Sequence, residues 1–283
     1  MGRVEKTVNL GRNRKYRIDI PPQSGMAIGK VHGIGSRESQ QDSFGVSSTS
    51  EGVLEDKGIL LVLADGMGGM YGGEKASMAA VVACLEYFDH DRIREVNGEL
   101  LEMFQEANCQ VRKALGSEAG TGGSTAIAVR IKDGAISWVS VGDSRLCLCR
   151  HGQLIQLNRV HNYAATLERM VRDGKISYEE AQMHPQRRAL TSYLGMEVLE
   201  EIDNNSEETV LKKNDRLILM SDGVFGTLSE KEIIEALQYP AEKAAMRLGM
   251  QIEQKKKPNQ DNYTAIVVEI IEQKQQVSRY GTK

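Results

Sequence analysis

The sequence predicts an α+β fold: a central antiparallel β-sandwich flanked by helix pairs, in four layers ordered α-β-β-α. Three features point there. Short β-rich stretches separated by turn dipeptides recur through the 283 residues. Amphipathic helical stretches come in pairs between them, and apolar runs stop abruptly on Asp-Gly. Meandering strands with paired helices between them bury their apolar faces as two packed sheets with helices outside.

Residues 1–24 are polar and basic, with Pro21-Pro22 marking the turn into the body of the chain, and read as a short edge strand or a loose arm. Met26 to Gly35 and Ser43 to Thr49 read as strands around the polar segment Ser36 to Asp42, which becomes a loop or strand junction. Gly58 to Ala64 is a continuous apolar run, the mark of a buried strand. It ends on Asp65-Gly66-Met67-Gly68-Gly69, where the glycines let the backbone approach a ligand. Ala76, Ala79, Ala80, Ala83, Cys84 and Tyr87 recur at helical spacing, predicting a helix from Gly73 to Phe88; Leu100, Leu101, Phe104, Ala107 and Val111 predict a second from about Gly98 to Leu115.

The period then changes. Ser124 to Ile131, Ala135 to Val141, Arg145 to Arg150 and Gln153 to Leu157, punctuated by Asp133-Gly134 and His151-Gly152, read as one antiparallel meander. Asn162 to Asp173 and Ser177 to Met183 read as short helices leading to the basic turn Pro185-Gln186-Arg187-Arg188, together a surface flap at about 160–190. Strands return at Thr209 to Leu211 and Arg216 to Ser221. Ser229 and Glu232 form a capping box at the start of the next helix. A helix from about Pro240 to Gln254 and a strand from Tyr263 to Val268 complete the pattern. No linker interrupts 25–272, so a single domain is expected there, with 273–283 as a tail.

A net charge of −3 and a pI near 6.0 leave no basic excess for a nucleic-acid partner. No apolar stretch approaches the roughly 20 residues of a membrane span, and Met1 to Lys6 lack the apolar core of a signal peptide. A soluble, cytoplasmic protein is expected. Cys147 and Cys149 alternate with Leu146 and Leu148, so they read as core thiols on one strand face; no second Cys/His pair at ligand spacing supports zinc.

Asp42, Asp65, Asp143, Asp222 and Asp261 each stand at the end of a separate predicted strand. Any one of them alone is an ordinary turn or capping carboxylate. Together they match a hard-metal site assembled across a sheet, and oxygen-only ligands favour magnesium or manganese over zinc. A two-metal site suits hydrolysis of a phosphate monoester, because each ion polarises phosphoryl oxygens and a water bridging the pair is deprotonated near neutral pH. Arg37, in the polar segment before Asp42, offers a planar fork for the phosphate oxygens. Other phosphate chemistries do not fit. There is no Cys-x5-Arg, Glu74 stands where a P-loop needs Lys, and Gly33-Ile34-Gly35 lacks the third glycine of a dinucleotide fingerprint. His161 and His184 read as structural or surface residues.

Arg37-x-x-Gln40-Gln41-Asp42, Asp65-Gly66-Met67-Gly68-Gly69, Gly123-Ser124-Thr125-Ala126, Val141-Gly142-Asp143-Ser144-Arg145, Ser221-Asp222-Gly223 and Asp261-Asn262 resemble, in order, the motif series of the metal-dependent protein phosphatases of type 2C. The segment from Asp173 to Arg187 resembles the flap of the bacterial serine/threonine branch. The resemblance runs from about 26 to 270. It implies a β-sandwich with a two-metal cleft at one end: Asp65 bridging two divalent ions, the Gly66 carbonyl on the second, Asp222 and Asp261 on the first, and Asp42 binding or orienting metal-bound water. It further implies a third, weaker metal near Asp143 and phosphate bound by Arg37. The implied substrate is a phosphorylated protein, with the enzyme opposing a serine/threonine kinase as a monomer. Four positions depart from the pattern. Gln40 replaces the usual Asn, Met67 stands where eukaryotic members carry a His proposed as general acid, and Val160 and Gly226 occupy frequent Asp positions. Two alternatives stay open: a catalytically silent binding module on the same fold, and a phosphatase of small metabolites or phosphotyrosine.

Overall fold

A computed structural model describes residues 7–8, 16–20, 25–47, 49–68, 72–90, 96–118, 122–199, 201–205 and 207–272. Gly69 and the expected tail at 273–283 lie outside them. Two antiparallel sheets pack face to face with helices on both outer surfaces, as the sequence predicts.

The first sheet is ordered β1 (Thr7–Val8), β4 (Asp42–Val46), β5 (Ile59–Met67), β7 (Ala126–Lys132), β8 (Ala135–Val141) and β11 (Asp203–Asn204); β6 (Gly123–Ser124) also pairs with β5, and β12 (Thr209–Val210) with β8. The second runs β10 (Gln153–Gln156), β9 (Arg145–Arg150), β13 (Arg216–Met220), β14 (Tyr263–Ile270), β3 (Met26–Gly33) and β2 (Arg17–Ile18).

Strand alternation builds the layers. In β5, Ile59, Leu61 and Leu63 point between the sheets and meet Leu217, Leu219, Ile266 and Val268. Leu60, Val62 and Ala64 of the same strand point outward, onto α2 (Gly72–His90) and α3 (Val96–Leu115). Ile218 and Met220 of β13 likewise face α7 (Glu230–Leu237) and α8 (Ala241–Lys255). A strand buried on both faces has no polar alternation to show, which is why β5 reads as an uninterrupted apolar run. The α7 capping box forms as expected: the Ser229 amide donates to Glu232 Oε2 at 2.8 Å and the Glu232 amide to Ser229 Oγ at 3.4 Å. Asp133, Gly134, His151 and Gly152 all have φ between 50° and 75°, the paired left-handed residues of a tight hairpin turn.

One expectation needs correction. The stretch from 124 to 157 is not one meander. β7 and β8 lie in the first sheet and β9 and β10 in the second, so the chain crosses between sheets at Gly142–Ser144. Gly142, at φ 90°, makes that corner. Two short helices also escaped the sequence reading: α1 (Glu51–Asp56), and α6 (Asp222–Phe225), which begins on a carboxylate expected merely to end a strand. The flap consists of α4 (Tyr163–Arg172) and α5 (Tyr178–Met183); Ser177 caps α5 through its side chain, whereas Asn162 at the N-cap position of α4 makes no side-chain cap bond.

Candidate active site

All five predicted carboxylates collect at one end of the sandwich, although they come from segments spread over the whole chain. Asp42 and Asp65 face each other as register partners at the start of β4 and the end of β5. Asp143 occupies the corner between sheets. Asp222 opens α6, and Asp261 lies just before β14. A cleft of about 420 Å³ is lined by Arg37, Asp65, Gly66, Asp143, Asp222 and Asp261 among others. Asp42 is buried beneath it, 3 % exposed.

Hydrogen bonds fix this arrangement. Ser221 Oγ and Thr264 Oγ1 both donate to Asp42 Oδ2 at 2.7 Å, and Gln40 Oε1 accepts the Asp42 amide at 2.9 Å. Gln40 thus holds the Asp42 backbone through its own side chain. Because the Thr264 hydroxyl proton goes to Asp42, its oxygen accepts from His32 Nδ1 at 2.9 Å. Burial holds His32 down at about 4, hence neutral. The Asp65 backbone is pinned on both sides, its amide donating to Thr125 Oγ1 at 3.0 Å and its carbonyl accepting the Thr125 amide at 2.9 Å. At Gly66 a Cβ would lie 2.1 Å from the Gly73 carbonyl oxygen, so no larger residue fits the approach of α2. Asn262 carries the loop that presents Arg37: its Nδ2 donates to the carbonyls of Ile34 and Ser39, and its Oδ1 accepts the Gln41 amide. Arg37 Nη2 forms an ion pair with Asp261 Oδ2 at 2.7 Å.

The electrostatics call for a cation. Burial, reinforced by neighbouring carboxylates, raises the pKa values of Asp42, Asp65 and Asp222 above the usual range and brings Asp143 to about 6. The two hydroxyl donors hold Asp42 partly back. Asp42 Oδ1 is buried with no hydrogen-bond partner among the described residues, a costly state for a carboxylate oxygen. An ion, or a water on an ion, removes that cost. Among the described residues no three carboxylates converge enough to hold an ion by themselves. Oxygen-only donors suit a hard divalent ion that keeps several of its waters rather than a closed protein cage.

Of the residues that set the geometry, Ser221, Thr125 and Asn262 were visible only as members of motifs and Thr264 only as a residue of the last strand. Their partners lie far away in sequence, 179 residues for Ser221 with Asp42 and 60 for Thr125 with Asp65, which local pattern cannot reveal.

This two-sheet sandwich with a carboxylate-lined cleft at one end is shared with known proteins. Residues 28–261 match the family model Protein phosphatase 2C. The chain belongs to that family. It is 33% identical over 225 residues to the serine/threonine protein phosphatase PstP of Mycobacterium tuberculosis, a match covering 75% of this chain and 40% of the relative. It thus spans well under two thirds of that relative's length. A putative protein phosphatase 2C-type from Streptococcus pyogenes is 30% identical over 205 residues, 71% of this chain and 79% of the relative. A solved structure of the PstP catalytic domain in complex with two manganese ions superposes with a TM-score of 0.68 at 28% identity, covering 87% of this chain and 99% of that one.

Proposed function

We propose that this chain hydrolyses phosphoserine and phosphothreonine esters in proteins, with two divalent ions, manganese or magnesium, held by Asp65, the Gly66 carbonyl, Asp222 and Asp261. Asp42 supports the pair from below, and Asp143 borders a third, weaker position. The observation that carries this reading is one cleft lined by Asp65, Asp143, Asp222 and Asp261, with Asp42 buried beneath it and its Oδ1 left unpartnered among the described residues. When bound, such a pair supplies a water nucleophile at neutral pH and polarises the phosphoryl oxygens.

The protein supplies the rest. Asp42 is fixed through Oδ2 by Ser221 and Thr264, and its buried Oδ1 keeps no hydrogen-bond partner among the described residues. Arg37 stands at the cleft mouth, its side chain 57% exposed, and part of its fork remains to grip phosphate while Asp261 holds one edge. Met67 cannot donate a proton, so solvent in the cleft must protonate the leaving serine or threonine oxygen. Among the described residues no helix is long and apolar enough to cross a membrane. The proposal extends to a cytoplasmic monomer that reverses the work of a serine/threonine kinase.

The test is p-nitrophenyl phosphate and phosphothreonine-peptide hydrolysis after chelation, then with manganese restored, beside Asp222→Asn. Turnover should vanish with chelator, return with manganese, and fall by at least ~10²-fold in the variant. A manganese-loaded chain that turns over neither substrate would contradict the phosphatase reading and leave the binding module.

A further inference from the structure

The flap and α6 enclose a second cleft, of about 570 Å³, that opens from the carboxylate end and shares Arg37, Asp143, Arg188, Asp222 and Asp261 with it. Its wall is more basic than that of the first cleft. Arg145, Arg187 and Lys257 join the shared set with one further carboxylate, Glu168, and Arg145 and Lys257 lie within electrostatic reach of Asp143 and Asp222 respectively. Val160 and Gly226, the two positions where the sequence departs from the family's carboxylates, line the same wall and add no charge. Two guanidinium groups of this wall keep unmet hydrogen-bond donors. Arg145 lies flat over Phe225, its guanidinium carbon 3.9 Å from the ring centroid, and its buried Nε has no hydrogen-bond partner among the described residues. The buried Nη1 of Arg187 also lacks one, and its Nη2 reaches Glu168 only at 3.5 Å. Asn162 Oδ1 is an unmet buried acceptor in the same wall.

Buried guanidinium N–H groups without acceptors are costly, and a guanidinium fork matches phosphate oxygens bidentately. Asn162 Oδ1 adds what an inorganic anion would not use, an acceptor for a peptide N–H. We propose that this cleft binds a second phosphoryl group on the same polypeptide as the scissile one, so that preferred substrates carry two phosphorylated residues close together in sequence. A doubly charged phosphate answers the Arg145, Arg187 and Lys257 set more fully than a single carboxylate does. Val160 and Gly226 add no further acid to the wall. The inference rests on the phosphatase reading above and deepens it.

The test compares three peptides on the manganese-loaded chain: one with a single phosphothreonine, one with a second phosphothreonine at successive neighbouring positions, and one with Glu at that second position. At the best spacing, kcat/KM for the doubly phosphorylated peptide should exceed that for the single one by ~10-fold or more, carried mainly by KM. Arg187→Gln should bring the ratio toward one. Val160→Asp, which adds a carboxylate without removing an arginine, should do the same. p-Nitrophenyl phosphate turnover reports whether the metal centre is intact, so failure of the phosphatase reading appears as loss on every substrate. A ratio near one in the unaltered chain would overturn the proposal. So would a ratio that survives both substitutions, or an equal advantage for the Glu peptide, which would make the cleft a general acid-preferring surface.

Discussion

Asp42 depends on two hydroxyls contributed by the other sheet. Ser221 and Thr264 each donate to one of its oxygens, bonds to a charged group worth about 1.5–3 kcal/mol apiece. Thr264→Val keeps the shape and removes one donor; turnover should fall ~10- to 100-fold, as for other residues that orient metal-binding groups. Full activity in that variant would remove Thr264 from any positioning role. The carboxylates also set a pH dependence. Burial raises their folded pKa values above the unfolded value near 4, with Asp143 at about 6. In the metal-free chain the folded state therefore binds more protons, so these groups contribute stability below about pH 4 and lose it as pH rises through their folded values, about 6 for Asp143 and about 7 for Asp42. Ions bind the deprotonated form and reverse the trend. Manganese should raise the Tm by calorimetry more at about pH 7.5 than at about pH 5; an equal rise at both would mean that the ions do not engage these groups.

Among the elements, those with a strong period or a capping signature were legible in the sequence. The helix expected from Gly73 to Phe88 spans Gly72–His90, and the flap helices end within one residue of their expected limits. The capping box at Ser229 can be tested directly: Ser229→Ala should cost about 1 kcal/mol in urea unfolding with turnover unchanged. No loss would mean that tertiary packing alone holds α7. α1 and α6, with 6 and 4 residues, are too short to show a helical period, so nothing in their sequence announced them. The crossing at Gly142–Ser144 was illegible for another reason. A hairpin and a switch between sheets use the same short polar turn, and only packing distinguishes them. Gly66 shows a constraint of the opposite kind, set by the approach of α2. Gly66→Ala should destabilise by at least ~1–3 kcal/mol, because its Cβ has no space beside the Gly73 carbonyl. An unchanged unfolding midpoint would show that α2 can retreat.

At the scale of the whole molecule, interleaved strands from both halves of the chain place their ends at a single rim. The candidate carboxylates were readable because each sits beside one end of an apolar run, a local mark of a strand's start or finish. What they share was not readable: Asp42 lies beneath the cleft while Asp65, Asp143, Asp222 and Asp261 line it, and Arg37 meets Asp261 across 224 residues of sequence. The same rim continues under the flap into the arginine-lined cleft, so scissile chemistry and substrate choice would occupy adjoining parts of one surface. The most direct test of the central claim is anomalous diffraction at the manganese edge from crystals grown with manganese. Two strong peaks in the cleft, with Asp65 between them and Asp222 and Asp261 beside one, are the result the proposed site requires. No peak within coordination distance of Asp65 would contradict it.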